Sequence, residues 1–263
     1  MQNNDKVIFF DLFDTMVRVD RGILEPYFDR ETDRMGDNGT LKNAKETIEH
    51  LSKINPSMPK GYSNDQLAKY YENCMSNSLK NAPKDVLKML KSLKEAGYKL
   101  CVISDAAYVD IAGWSKSPLS KYFDKTIFSC EVGYVKPDPK LFETALRAMG
   151  NPQHTVFIGD GGHEELQGAQ KAGMQTIKAE WIKNRREEEL YAHSNFRLQS
   201  TEQVLETVNS IDFTKQQVVE AETQQQEPMQ QPPQQPDIDD FISSFNTENK
   251  TTEKFQENQE ISL

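Results

Sequence analysis

Short runs rich in apolar and β-branched residues alternate along this chain with longer segments of helical periodicity. The runs lie at 7–10, 100–103, 126–128, 155–158 and 175–178, and each has the length of a buried strand. Between them, apolar residues recur every three or four positions in stretches that end at a glycine, namely Gly97, Gly150 and Gly173. This alternation predicts a Rossmann-like α/β fold, with a parallel sheet covered by helices on both faces.

One long segment, residues 18–81, interrupts the alternation. Its periodicity predicts helices at Leu41–Ile54 and Ser63–Met75, and Ser63 with Gln66 has the spacing of a capping box. We expect a small helical domain inserted after the first strand, within a core formed by residues 1–17 and 82–213. A last strand and helix are predicted at Phe196–Leu198 and Thr201–Asn209.

Composition changes after residue 213. Hydrophobic residues make up 36% of the whole chain and the net charge is −10, of which the stretch from Lys215 to Leu263, with ten acidic and three basic residues, carries −7. This Gln/Pro-rich acidic segment, 214–263, is expected to be a disordered tail, because it has too little apolar surface to offset its ordering entropy. Apolar residues within 237–245 have helical spacing, which is compatible either with a short helix that binds a protein partner or with a chance cluster.

Charge and cysteine content exclude several classes of protein. The body before the tail carries only −3, from −10 minus −7, so no basic nucleic-acid surface is expected. No segment has the length of a membrane span, and the apolar run near the start, only four residues long, does not predict a signal peptide. Cys74, Cys101 and Cys130 are widely spaced, which predicts free thiols and a cytoplasmic location.

Four separated segments carry the candidate chemistry. Asp11, Ser104 and Asp160 directly follow or end three of the predicted strands, and Lys136 lies in the loop sequence Gly-Tyr-Val-Lys-Pro-Asp-Pro. The carboxyl ends of parallel strands meet at one edge of a sheet, where ligands bind in such folds. Asp11, Ser104 and Asp160 are therefore expected to lie close together.

The four segments together resemble the haloacid dehalogenase-like superfamily of hydrolases, which are mostly phosphatases, over residues 6–209. The resemblance implies that Asp11 is the nucleophile, attacking phosphorus to give an aspartyl-phosphate. Ser104, the backbone N–H of Asp105 and Lys136 would bind the phosphoryl group, and Lys136 would neutralise its charge. The helical insertion would then be the cap that closes over the site and selects a small phosphorylated metabolite.

The resemblance also implies a Mg²⁺ site. Asp11, the backbone carbonyl of Phe13, and Asp160 would bind the ion, with Glu165 as a further acidic residue at a position where Asp is more usual. Glu164 is a neighbouring alternative, and for both glutamates a solvated acid in the first turn of a helix is an alternative reading. His163, a loop histidine, is interpreted as solvated and outside the site.

Phe13 departs from the phosphatase pattern, in which this position is an Asp that serves as general acid and base. Asp14 is displaced by one residue, which points a strand side chain in another direction. One hypothesis is a phosphatase that prefers good leaving groups or takes an acid from the cap, where Asp29, Glu31 and Asp33 are candidates. The others are a 2-haloacid dehalogenase-like hydrolase, against which the retained Asp160 argues, and a non-catalytic phosphate-binding protein.

Overall fold

The parallel sheet predicted from the apolar runs is present. The structure, a computed structural model, describes residues 6–182 and 193–213, and within them the sheet has six parallel strands in the order β3-β2-β1-β4-β5-β6. The strands are β1 (Lys6–Phe10), β2 (Lys99–Ser104), β3 (Lys125–Phe128), β4 (His154–Gly159), β5 (Gln175–Ala179) and β6 (Phe196–Leu198). This order is that of a doubly wound Rossmann-like sheet.

The strand order reverses around β1, which lies between β2 and β4. Phe10 is paired with Val102 on one side and with Ile158 on the other. The backbone N–H of Asp11 donates a hydrogen bond to the carbonyl of Ile158 at 2.9 Å. The carboxyl ends of β1 and β4 are thus held together, and ligands bind at such a reversal in folds of this kind.

Alternate residues of the strands supply two separate cores, one on each face of the sheet. Ile8 and Phe10 lie in one core, and Val7 and Phe9 lie in the other. The helices are α4 (Lys84–Glu95), α5 (Tyr108–Ile111), α6 (Ser129–Val132), α7 (Pro139–Ala148), α8 (Glu165–Lys171) and α9 (Val204–Ser210). Residues of α4 and α9 bury their apolar sides in the first core, and residues of α7 and α8 do so in the second.

The insertion after β1 is helical, as predicted, and has an apolar core of its own. Its helices are α1 (Arg30–Asp37), α2 (Ala44–Ile54) and α3 (Asn64–Lys80). The predicted capping box of Ser63 and Gln66 is present at the start of α3. α2 begins later than the predicted Leu41, because the Asn43 side chain caps it by accepting a hydrogen bond from the backbone N–H of Glu46 at 3.0 Å. The boundaries of this segment as a domain remain a prediction.

Three further expectations from the sequence concern the tail, membrane-spanning helices and the cysteines. The predicted disordered tail, with its candidate partner-binding segment 237–245, lies outside the described residues. In the part of the chain that the structure describes, no helix is both long enough and apolar enough to cross a membrane. The three cysteines are free thiols, and Cys101 and Cys130 are buried.

Candidate active site

A buried cluster of one lysine and three carboxylates lies at the carboxyl ends of β1 and β4. The Lys136 Nζ donates hydrogen bonds to Asp11 Oδ1 at 2.6 Å and to Glu165 Oε2 at 2.5 Å. Asp160 follows β4, and all four side chains line one cavity of about 90 Å³. Only 4% of Asp11, 6% of Lys136 and 1% of Glu165 is exposed, so water screens these charges little.

Backbone groups after β4 hold the two acidic residues of this loop. The backbone N–H of Gly161 donates to Glu165 Oε1 at 2.9 Å, and that of Gly162 donates to Asp160 Oδ1 at 3.0 Å. Gly161 has a φ of 97°, a left-handed conformation that favours glycine. A Cβ at Gly159 would lie 2.1 Å from Glu165 Oε1, so the side chain of Glu165 occupies the space that this glycine leaves open.

Burial dominates the electrostatics of the cluster. It raises the pKa of Asp11 to about 6, an effect that the charge of Lys136 opposes and that of Asp160 adds to. It also raises the pKa of Glu165 well above its ordinary value, again against the effect of Lys136. Burial disfavours the charged ammonium of Lys136, but the neighbouring Asp11 and Glu165 outweigh burial and raise its pKa. The two carboxylates therefore share one positive charge.

The arrangement leaves an excess of negative charge that a metal ion would neutralise. One oxygen each from Asp11, Asp160 and Glu165 lies within 4.8 Å of the other two. These oxygens are the donor type that hard divalent cations prefer, and Mg²⁺ is usually held by a few carboxylates. The donor set, with only Lys136 to balance three acids, therefore fits a divalent cation such as Mg²⁺.

The loop after β2 forms the next wall of the cavity. Asp105 Oδ1 accepts a hydrogen bond from the backbone N–H of Lys136 at 2.9 Å, and its Oδ2 lies 3.4 Å from His163 Nδ1. Asp105 therefore contacts both the loop that carries Lys136 and the loop that carries His163. Ser104 is fully buried, and its hydroxyl donates to the backbone carbonyl of Asp105 at 3.1 Å; it is not among the residues that line the cavity.

Residues of the helical insertion also line the cavity. Arg21 and Asp33 line the cavity and form an ion pair, with Nη2 and Oδ1 2.7 Å apart. The Arg21 guanidinium also lies over the ring of Phe28, 4.1 Å from its centroid. In the same region, the hydroxyl of Tyr71 in α3 donates a hydrogen bond to Asp110 Oδ1 at 2.8 Å. Asp37, the last residue of α1, is a further acidic side chain of the cavity.

The structure brings most of the predicted site residues into one cavity. Asp11, Phe13, Asp105, Lys136, Asp160 and Glu165 all line it. Glu164 is exposed and has a left-handed backbone, with φ of 54°, so the geometry places Glu165, and not Glu164, beside Asp160. The catalytic and ligand roles of these residues stay predictions.

Several further cavity residues with titratable side chains are not among the site residues predicted from the sequence, including Arg21, Asp37, Asp110 and His163. No local motif marks the first three. His163, expected to be solvated and outside the site, has a side chain that is 46% exposed but lines the cavity. It follows the Gly161-Gly162 pair in the loop of Asp160, which is the sequence signal for its position. Among the acids proposed from the insertion, Asp33 lines the cavity, whereas Asp29 caps α1 by accepting from the backbone N–H of Thr32 at 2.7 Å and Glu31 is exposed.

Comparison with known proteins agrees with this fold and identifies the family. The family described as haloacid dehalogenase-like hydrolase matches residues 37–179, more than half of the chain. A glyceraldehyde 3-phosphate phosphatase from Pyrococcus abyssi is 30% identical over 201 residues, which are 68% of this chain and 81% of that protein. The chain therefore belongs to the haloacid dehalogenase-like hydrolases, as its resemblance implied.

A second curated relative and one solved structure show how much of the chain is similar to known proteins. A glyceraldehyde 3-phosphate phosphatase from Methanothermobacter thermautotrophicus is 40% identical over 92 residues, 34% of this chain and 40% of that protein. The chain spans 40% to 45% of the length of three curated relatives that it matches, two glyceraldehyde 3-phosphate phosphatases and one pyrophosphatase. A solved dehalogenase structure has a TM-score of 0.59 at 18% identity, covering 77% of this chain and 96% of that one; at that identity the likeness concerns the fold alone.

Proposed function

We propose that this protein is a Mg²⁺-dependent phosphatase that hydrolyses a small phosphorylated metabolite through an aspartyl-phosphate. The observation that carries the proposal is the buried cluster in which Lys136 contacts Asp11 and Glu165 beside Asp160. The cluster combines a carboxylate nucleophile, a fixed positive charge and a set of metal ligands. The names of the curated relatives, which include glyceraldehyde 3-phosphate phosphatases and pyrophosphatases, support the same class of substrate.

In this proposal Asp11 attacks the phosphorus atom in line with the leaving oxygen. With a pKa of about 6, the carboxylate is largely ionised at neutral pH and can act as a nucleophile. Lys136 stabilises the charge shared between Asp11 and the phosphoryl oxygens, which is the main form of catalysis in phosphoryl transfer. The backbone N–H of Asp105 and the hydroxyl of Ser104 would bind phosphoryl oxygens, the latter after leaving its bond to the Asp105 carbonyl.

Asp11, Asp160, Glu165 and the backbone carbonyl of Phe13 would hold Mg²⁺. When bound, the ion would offset the negative charge of the phosphoryl group and of the carboxylates around it. The helical insertion would act as the cap: Arg21, Asp33 and Asp37 line the same cavity as Asp11. A closing cap excludes water from the phosphoryl group and selects the leaving group. The three free cysteines fit a reducing cytoplasm, which we propose as the location.

Hydrolysis of p-nitrophenyl phosphate by the full chain tests the proposal. We expect turnover with Mg²⁺, none with EDTA, and none in Asp11→Asn. Glu165→Gln and Glu164→Gln make a matched pair at neighbouring positions, since Glu165 lines the cavity and Glu164 does not. Glu165→Gln should weaken the dependence on Mg²⁺ concentration strongly, and Glu164→Gln should leave it unchanged. Turnover that persists in Asp11→Asn would rule out the assigned nucleophile.

Dehalogenation is the second candidate, and Phe13 is the observation that favours it. The apolar side chain lines the cavity where the phosphatase pattern places an acid, and a halide leaving group needs no proton. Against it stands the three-carboxylate cluster, which a metal-free displacement at carbon does not need. Folded protein without phosphatase activity should therefore be assayed for chloride release from 2-chloropropionate. If both activities are missing, a non-catalytic phosphate-binding role becomes the favoured explanation.

A further inference from the structure

Asp37 is a carboxyl group of the cavity that no motif accounts for. It is the last residue of α1, and it lines the same cavity as Asp11 and Lys136. The proposed reaction lacks a proton-transfer group at Phe13, where the phosphatase pattern has an acid. A group that replaces it has to face the cavity that holds Asp11, and Asp37 does so.

Two glycines let the end of α1 approach the core closely. A Cβ on Gly36 would lie 2.9 Å from the Cβ of Ala107, and a Cβ on Gly39 would lie 2.7 Å from the backbone oxygen of Cys130. Both distances are shorter than ordinary contacts between carbon and its neighbours. Asp37, between these glycines, is therefore held near two parts of the core: the loop after β2, which carries Asp105 and Ala107, and the helix α6, which carries Cys130.

The other carboxyl groups of the cavity outside the metal cluster have defined donors. Asp33 accepts from Arg21 at 2.7 Å, and Asp105 accepts from the backbone N–H of Lys136 at 2.9 Å. Asp110 accepts from Tyr71 and from the backbone N–H of Ala107 at 2.9 Å. Asp14 accepts from the backbone N–H of Val19 at 3.4 Å. Within residues 6–182 and 193–213, no group donates a hydrogen bond to the Asp37 carboxyl, so this carboxyl is available to a ligand.

The charges around Asp37 favour its protonated form. Burial raises its pKa well above the ordinary value, and the neighbouring carboxylates of Asp105, Asp110 and Asp33 raise it further, with Arg21 acting in the opposite direction. A carboxyl group whose pKa is raised keeps its proton to a higher pH, and a protonated carboxyl can donate to a leaving group. Of the other acids proposed from the insertion, Asp29 and Glu31 do not line the cavity, and Asp33 is paired with Arg21.

We infer that Asp37 is the general acid and base of this site, replacing the acid that is absent at Phe13. The inference rests on the proposed phosphatase function. In the first step the bond from phosphorus to the leaving oxygen breaks, the bond to Asp11 forms, and the Asp37 proton passes to the leaving oxygen. In the second step a water oxygen bonds to phosphorus, the bond to Asp11 breaks, and the water proton passes to the Asp37 carboxylate, which restores the acid.

The experiment compares Asp37→Asn with wild type on two aryl phosphates, with Mg²⁺ and the full chain. Phenyl phosphate has a poorer leaving group than p-nitrophenyl phosphate, so its cleavage depends more on a donated proton. We expect Asp37→Asn to lower kcat/KM on phenyl phosphate by about 10²–10⁴-fold, the usual contribution of a general acid. On p-nitrophenyl phosphate it should release about one equivalent of nitrophenolate in a burst, then turn over slowly, because the second step lacks its base.

Three controls separate catalysis from structure. Glu31→Gln changes an exposed acid on the same helix and should leave both rates unchanged. Asp37→Glu should restore part of the activity on phenyl phosphate. Wild-type kcat/KM should fall at high pH as Asp37 loses its proton, and this limb should be absent in Asp37→Asn. If Asp37→Asn unfolds, as judged by its thermal melt, Asp37→Ala takes its place.

The outcomes are distinct. Equal losses on both substrates without a burst, or unchanged rates on both, would overturn the role of Asp37 while leaving the phosphatase proposal in place. Wild-type protein that is folded but inactive on both aryl phosphates would overturn the proposed function, and the role of Asp37 would fall with it. A selective loss on phenyl phosphate with a burst on p-nitrophenyl phosphate supports both.

Discussion

Replacing Lys136 by Met tests how much its ion pairs with Asp11 and Glu165 contribute to the free energy of unfolding, without an activity assay. The change keeps an unbranched side chain of similar length but removes the charge that contacts Asp11 and Glu165 at 2.6 and 2.5 Å. Removing one partner of a buried ion pair typically costs about 3–5 kcal/mol, because the remaining charge is left uncompensated. For a folded part of roughly 200 residues, each kcal/mol lowers the melting temperature by about 2–4 °C, which gives a drop of about 6–20 °C.

The assay is urea unfolding of wild type and variant in EDTA, at pH 7 and at pH 5. The pKa of Asp11 and that of Glu165 are already raised, and both should rise further without Lys136. The folded variant then binds more protons than the folded wild type, so its stability falls more as the pH increases. The difference in unfolding free energy should therefore be largest at pH 7 and smaller at pH 5.

Lys94→Met is the matched control. Its Nζ lies 2.8 Å from Asp124 Oδ2, but the two side chains are 33% and 39% exposed, and exposed ion pairs contribute only about 0–1 kcal/mol. If Lys136→Met lost less than about 1 kcal/mol at pH 7, or lost as little as Lys94→Met, the argument that this lysine holds buried carboxylates together would be refuted.

Three further changes probe the same region. Gly159→Ala places a Cβ 2.1 Å from Glu165 Oε1; it should cost about 1–3 kcal/mol through overpacking and weaken Mg²⁺ binding, measured by urea unfolding and titration calorimetry. Mg²⁺ at 100 times its Kd should stabilise the wild type by about 2.7 kcal/mol and stabilise Asp160→Asn far less, as read from thermal melts. Tyr71→Phe removes the buried hydrogen bond to Asp110. In urea unfolding it should lower the free energy of unfolding by about 1.5–3 kcal/mol, as the loss of a bond to a charged group does; a change near zero would show that a water molecule replaces the tyrosine hydroxyl.

The strand ends of the site were predictable because two independent rules point to the same residues. Apolar runs identify buried strands, and a parallel sheet brings their carboxyl ends to one edge. Asp11 and Asp160, which follow neighbouring strands β1 and β4, were placed together on that basis. Lys136 and Glu165 were added by the family resemblance, and the structure brings both to Asp11.

The wall formed by the insertion was not predictable from the sequence. α1 has one apolar residue, Met35, among its eight residues, so no periodicity marks the helix or its buried side. Its position depends instead on its Asp29 cap and on contacts between distant parts of the chain, such as that of Gly36 with Ala107. Such long-range packing determines that Asp37 faces the cavity, and a local pattern does not contain that information.

The charge of the assembled cavity has a consequence for substrate binding. Carboxyl groups of eight residues line it, against two basic side chains, Arg21 and Lys136, and one histidine, His163. A phosphate dianion brought into this space meets repulsion that Lys136 alone does not offset, since that ammonium already neutralises part of Asp11 and Glu165. Inorganic phosphate should therefore bind measurably by calorimetry only with Mg²⁺ present, and more weakly in Asp160→Asn. Equally tight binding in EDTA would mean that the cavity recognises phosphate through N–H donors and not through a bound cation.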